Sequence, residues 1–162
     1  EDAGIQAINY RTEPFWLRLG ASVDDHGEGD GAQVESLNNY LFPTDFFFSP
    51  RPETPVFKAK AGDRVKFRVI NPDGRARMRG FSVFGHYYPD HGLPHFLAPS
   101  NSLVGVGKGI TADLGCVRPG TWIYRDQPAH VYSGGAWGLL EVSGSARDAD
   151  QCKSRYAAAA GR

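Results

Sequence analysis

Sulfur is scarce in this 162-residue sequence, which has two Cys and one Met. Neither a CxxC pair nor a CxxC/HxxxH spacing occurs, so a structural zinc site of the finger type is not expected. Net charge is also missing: 18 Lys and Arg meet 18 Asp and Glu. A neutral chain argues against nucleic acid as the main partner, because phosphate binding needs a surplus of cations. No apolar run approaches the ~20 residues of a bilayer crossing, so no transmembrane segment is expected. No amphipathic helix follows Gly105-x-Gly107-x-Gly109, which is therefore not a dinucleotide fingerprint. Ser133-Gly134-Gly135 is not a nucleophile elbow. The sequence opens on Glu1-Asp2 without Met or an apolar targeting stretch, and reads as a processed product or a piece of a longer chain.

What is present is turn and strand material: 20 Gly, 11 Pro and a 12% aromatic share. At this length one domain, with or without arms, buries roughly two-thirds of its surface. The clearest pattern starts at Pro55. Apolar and basic residues alternate in 57–61 and 65–69, with Gly62-Asp63 as a turn between them. Period 2 places Phe57, Val65, Phe67 and Val69 on a buried face and Lys58, Lys60, Lys66 and Arg68 on the other. Arg75, Arg77 and Arg79 extend the basic stripe, which is either a solvated face or a docking surface for an acidic partner, such as the chain's own 24–35 loop. Further strands are expected over 80–88, 102–114, 120–126 and 136–143. Without any βαβ alternation, these strands predict an all-β sandwich or small barrel. Residues 5–19 read as an extended arm or first strand, and 20–39 as a solvated acidic loop. Residues 40–50, interrupted by Pro43, read as a wrap over the core. The segment from Gly144 is polar and then Ala-rich, a short helix held near the core if Cys152 is bridged. Cys116 and Cys152 are either a disulfide or free thiols. If bridged, they close a loop of about 37 residues and add roughly 3–4 kcal/mol in the chain-entropy model.

Four segments together resemble a known family. Thr54 to Val69 is similar to the strand pair that opens many cupredoxin domains, and Phe81-Ser82-Val83-Phe84-Gly85-His86-Tyr87-Tyr88 resembles the HxFxxHGH strand of multicopper oxidases. Gly120 to Arg125 followed by Gly135 to Val142 resembles their final strand–loop–strand. Ile8-Asn9-Tyr10-Arg11-Thr12-Glu13-Pro14 is similar to an arm before the last cupredoxin domain of large bacterial members. The resemblance implies a cupredoxin-like Greek-key β-sandwich or barrel over 51–143. An N-terminal arm and loop (1–50) would pack on it, and a C-terminal tail (144–162) would follow.

The copper ligands that the resemblance implies are missing. A type 1 centre needs a Cys thiolate, two His and an axial Met, since soft sulfur and imidazole tune the couple. Arg79, Ser82 and Phe84 stand at the first three His positions of the motif strand, and His86 matches its last His, usually not a ligand in the family. Arg125-Asp126-Gln127 stands where His-Cys-His belongs, and Ala136 replaces the axial Met. Neither Cys falls where a thiolate ligand is needed.

Four histidines remain as candidates for an unorthodox metal site: His86, His91 and His95, with Asp90 among them, and His130 on the final loop. No named motif has their spacing, and packing or surface roles are the simpler reading. Asp126 and His130 form a conceivable dyad without a placed nucleophile. Trp122 and Trp137 read as core. The sequence thus predicts no catalytic residue and no cofactor, copper being the alternative. The expectation is a copper-free accessory or structural subunit, or a segment, of a larger extracytoplasmic, multicopper-oxidase-like assembly, with other protein subunits or domains as partners. Two alternatives stand beside it. One is a copper-binding oxidoreductase with an unorthodox or inter-chain His site, and the other is a binding module for a small ligand or carbohydrate.

Overall fold

The computed structural model describes residues 7–18, 51–72, 79–90, 93–98, 100–127, 131 and 134–160; at 16, 90, 93–98, 100–103 and 156–160 it describes the backbone alone. Nine strands and two helices occur among them: α1 (Phe15–Arg18), β1 (Val56–Lys60), β2 (Arg64–Ile70), β3 (Arg79–Val83), β4 (Tyr88–Asp90), β5 (Leu93–Ala98), β6 (Ser100–Val104), β7 (Gly109–Cys116), β8 (Gly120–Asp126), β9 (Trp137–Ser143) and α2 (Ala146–Ala160). The five-stranded sheet runs in the order β1-β9-β8-β3-β6, and β2-β7 and β4-β5 form two-stranded sheets. This is a β architecture, as the alternating apolar pattern predicts. The chain divides into two compact units, one of 1–56 with 125–138 and one of 57–124 with 139–162.

In the second unit, aromatic side chains join the sheets. Phe67 of β2 lies 5.1 Å from Tyr124 and 5.3 Å from Phe81, ring centre to ring centre, and Phe57 stacks on Tyr124 at 5.6 Å. Tyr124 and Phe81 belong to the five-stranded sheet, so these rings fill the space between two sheets. Ile110, Ala112, Leu114 and Cys116 point inward along β7 by simple alternation. On β9, Trp137 to Leu140 are all buried, as a strand between two neighbours requires.

β2 and β7 pair antiparallel with one irregularity. Arg64 and Val65 face Cys116 and Gly115, but Lys66 faces Asp113, so β7 carries one extra residue there. Gly115 takes φ +63°, the left-handed conformation a bulge of this kind uses, and its N–H donates to the Asp113 carboxylate at 3.0 Å. Outward from this pairing, Asp113 meets Lys66 at 2.8 Å and Arg64 at 3.3 Å. The basic stripe is therefore partly neutralised by its own sheet. Lys58 also lies 3.9 Å from Glu141.

α2 follows β9 through Gly144. Ser145 caps it: the Ser145 N–H and hydroxyl both donate to the Asp148 carboxylate, at 2.9 and 2.8 Å. The disulfide Cys116–Cys152, with Cα atoms 5.9 Å apart, ties the helix to the end of β7. The bridged alternative for these cysteines is the one the fold adopts.

In the first unit, Ile8 and Arg11 exchange backbone hydrogen bonds across Asn9 and Tyr10, both at positive φ, in a tight two-residue turn. Beyond it Glu13 pairs with Arg18 and accepts the Glu53 N–H. Trp137 donates its indole N–H to the Glu13 carbonyl at 2.8 Å, packs edge-on against Phe15 and carries Arg18 over its ring at 5.7 Å. The arm is thus a turn followed by a helical turn, where the sequence predicts extended chain. Pro14 at the head of α1 and the Glu13–Arg18 pair across it favour the compact form.

Several boundaries differ from expectation. The predicted strand 80–88 is two strands, because Phe84 and Gly85 turn the chain. The predicted strand 102–114 is also two, divided by a turn over 105–108 where Lys108 N–H donates to the Gly105 carbonyl. Phe57 packs on Tyr124 from the predicted face but stays 40% exposed, since β1 lies at the edge of its sheet. The sequence does not predict β5, because Pro94 masks its strand signal.

Candidate functional site

The motif strand ends in a corner built on His86. The strand β3 stops at Val83, and Phe84-Gly85 carry the chain round to β4. Gly85 takes φ +71°, and a Cβ there would sit 2.2 Å from the Trp122 ring, so only glycine permits this approach. The turn places His86 5.0 Å from Trp122, ring planes at 88°. His86 is 5% exposed, and both its ring nitrogens have backbone partners. Nδ1 lies 3.0 Å from the Phe84 carbonyl, and Nε2 accepts the Arg118 N–H at 3.3 Å. A carbonyl only accepts and an N–H only donates, so these contacts select the neutral tautomer protonated at Nδ1. Trp122 closes the circuit by donating its indole N–H to the Arg118 carbonyl at 2.9 Å. Burial pushes the His86 pKa down, opposed by the Phe84 carbonyl and reinforced by the charges of Arg118 and Lys153.

The other positions of the expected copper pattern carry no thiolate or imidazole. Arg79 is half-buried at the start of β3 and Phe84 is exposed on the turn. Ser82 is buried, and its hydroxyl has no hydrogen-bond partner among the described residues. A hard, neutral hydroxyl is a poor partner for copper, which favours thiolate and imidazole. Cys116 is spent in the disulfide and offers no thiolate. Ala136 is buried in the final loop, where its N–H donates to the Val131 carbonyl at 3.1 Å. Asp126 accepts the Gln127 N–H at 2.7 Å, and His130, the other member of the conceivable dyad, lies outside the described residues. The residues present do not fit a type 1 copper centre.

His91 and His130 lie outside the described residues, as do the expected wrap over 40–50 and the acidic loop, and His95 is placed by its backbone on β5. Among the described residues no group of three or more His, Cys, Asp or Glu side chains could hold a metal ion. Trp137 is fully buried, as expected of a core residue, whereas Trp122 is half-buried and serves the His86 corner. Sequence reasoning missed Gly85 and Arg118. A glycine interrupting a strand pattern just before a histidine was the available signal for the first. Arg118 acts through its backbone, which leaves no trace in side-chain identity.

No helix of the described residues is long and apolar enough to cross a membrane. No protein-family model matches the chain, and no curated protein matches it in sequence. Among solved structures it is similar to dithionite-reduced auracyanin from Roseiflexus castenholzii, at 18% identity and a TM-score of 0.41 over 55% of this chain and 84% of that one. It is also similar to a blue copper oxidase from Nitrosomonas europaea, at 23% identity and a TM-score of 0.46 over 56% of this chain and 31% of that one. A third is Fet3p, a multicopper oxidase that functions in iron import, at 17% identity and a TM-score of 0.46 over 56% of this chain and 17% of that one. The chain thus spans less than a third of the first oxidase and about a sixth of the second.

Proposed function

We propose that this chain is a copper-free, cupredoxin-like structural or accessory domain of a larger extracytoplasmic, multicopper-oxidase-like assembly, with other protein subunits or domains as its partners. The observation that carries this reading is the state of His86. The histidine of the motif strand has both nitrogens engaged by its own backbone, so its lone pair fastens the β7–β8 turn instead of facing a metal. The disulfide supports an oxidising compartment. In this reading the body over 51–143 supplies the scaffold, and the arm (1–50) and tail (144–162) are the parts that reach neighbours.

The test is metal analysis and absorption spectroscopy on purified protein after copper loading, with His130→Ala as the control. Less than a tenth of an equivalent of bound copper and no thiolate-to-copper absorption are expected. Stoichiometric copper lost in His130→Ala would overturn the reading in favour of an unorthodox His site. Size measurement in native extract tests the assembly role, for which a mass well above 17.7 kDa is expected. A free monomer would count against it.

A further inference from the structure

Through its described side chains, Ala146 to Arg155, α2 is a polar helix with little hold on the body it lies against. Of its side chains described from Ala146 to Arg155, Ala149 alone is buried and Cys152 is half-buried; the others are exposed. Ala149 and Cys152 are three residues apart and share one face. Opposite them lies the β1–β2 turn, where Gly62 (φ +87°) leaves room for the Asp148 carbonyl. A Cβ at Gly62 would come within 2.7 Å of that oxygen and 3.5 Å of the Cys152 Cβ. Among the described side chains the contact is therefore one methyl group, one bare backbone and one covalent bond. The cap formed by Ser145 and Asp148 stabilises the helix itself but binds it to nothing else. By contrast the turn beneath has its own bonds: Gly62 N–H donates to the Val117 carbonyl and Val117 N–H to the Asp63 carbonyl, both at 3.0 Å. Among the described residues no backbone hydrogen bond joins the strand body to α2.

We propose that the Cys116–Cys152 disulfide is a redox-operated latch, whose reduction by a dithiol reductant frees α2 and uncovers the β1–β2 turn while the strand body stays folded. A thiolate of the reductant attacks Sγ of Cys152, the more exposed of the pair, and the Cys116 sulfur leaves as a thiolate. The second thiol of the reductant then displaces Cys152 from the mixed disulfide. Two electrons pass to the protein, two protons end on Cys116 and Cys152, and the reductant leaves as its cyclic disulfide. Reoxidation reverses each step. The reading is independent of whether the chain binds copper.

Hydrogen exchange on the full chain, with and without dithiothreitol at neutral pH, tests the latch. Alkylation and mass measurement establish that two thiols have formed. Amides of α2 are expected to exchange at least tenfold faster after reduction, while those of β3, β7, β8 and β9 change less than twofold. A Cys116→Ser/Cys152→Ser variant should reproduce the reduced pattern, and if it does not fold the reduced native chain decides alone. Three results overturn the latch: protection of α2 that persists after reduction, exchange that rises throughout the body together, and a bridge that dithiothreitol leaves intact until the protein unfolds.

Discussion

Burial holds the His86 imidazole neutral, and although the Phe84 carbonyl opposes this, the nearby Arg118 and Lys153 charges act in the same direction. The folded pKa therefore lies below the unfolded value of about 6.5. The unfolded chain binds the proton more readily, so His86 contributes its full stability above that value. The contribution drains as pH falls from there through the folded pKa. Protonation also removes the Nε2 lone pair that accepts the Arg118 N–H. Urea midpoints measured from pH 7.5 down to pH 5 should fall, and the fall should be visibly shallower in His86→Gln, which does not titrate. Parallel profiles for the two proteins would refute the assignment. At Asp113 burial acts in the opposite direction. Burial there raises the carboxyl, but the Lys66 ammonium, the Gly115 N–H and the Arg64 charge outweigh it and leave the pKa lowered. The pair is part-exposed, so such ion pairs contribute at most about 1 kcal/mol.

The turn between β3 and β4 is the element whose geometry depends most on one residue type. Gly85→Ala meets two penalties, a left-handed backbone and a ring in the space its methyl needs. The backbone part costs about 1–2 kcal/mol for a residue with a Cβ. The steric part belongs to Trp122 and vanishes with it. Gly85→Ala is therefore expected to lower stability by about 3 kcal/mol in the native background and by only about 1–2 kcal/mol in Trp122→Ala. Chemical denaturation of the four proteins of this cycle measures the difference, and equal costs in both backgrounds would show that the ring yields. The same turn explains why the element was misread from sequence. Phe81, Val83 and Tyr88 are buried at odd and even positions, and no alternation can show that Tyr88 reaches back to donate its hydroxyl to the Phe81 carbonyl.

Across the molecule, the strand framework was legible because period 2 is a local property: Val65, Phe67 and Val69 alternate with Arg64, Lys66 and Arg68 whatever lies opposite. What stayed hidden were contacts between distant backbones, such as Arg118 with His86, and the choice between bridged and free cysteines. The aromatic cluster that joins the sheets was visible only as a list of rings. Its centre is Phe67, and Phe67→Ala is expected to cost about 3 kcal/mol, seen as a lower urea midpoint and a diminished near-ultraviolet signal from Tyr124. A cost under about 1 kcal/mol would mean that the half-buried ring is dispensable. The extra residue in β7 has a wider consequence. It acts as a phase marker: upstream, Ile110 and Ala112 keep step with β2, and downstream the strand's end is rotated by one position. Deleting one residue between Asp113 and Cys116 would restore regular pairing and turn Cys116 to the opposite face, away from Cys152. Whether this chain can close its covalent loop at all is counted out in units of a single residue.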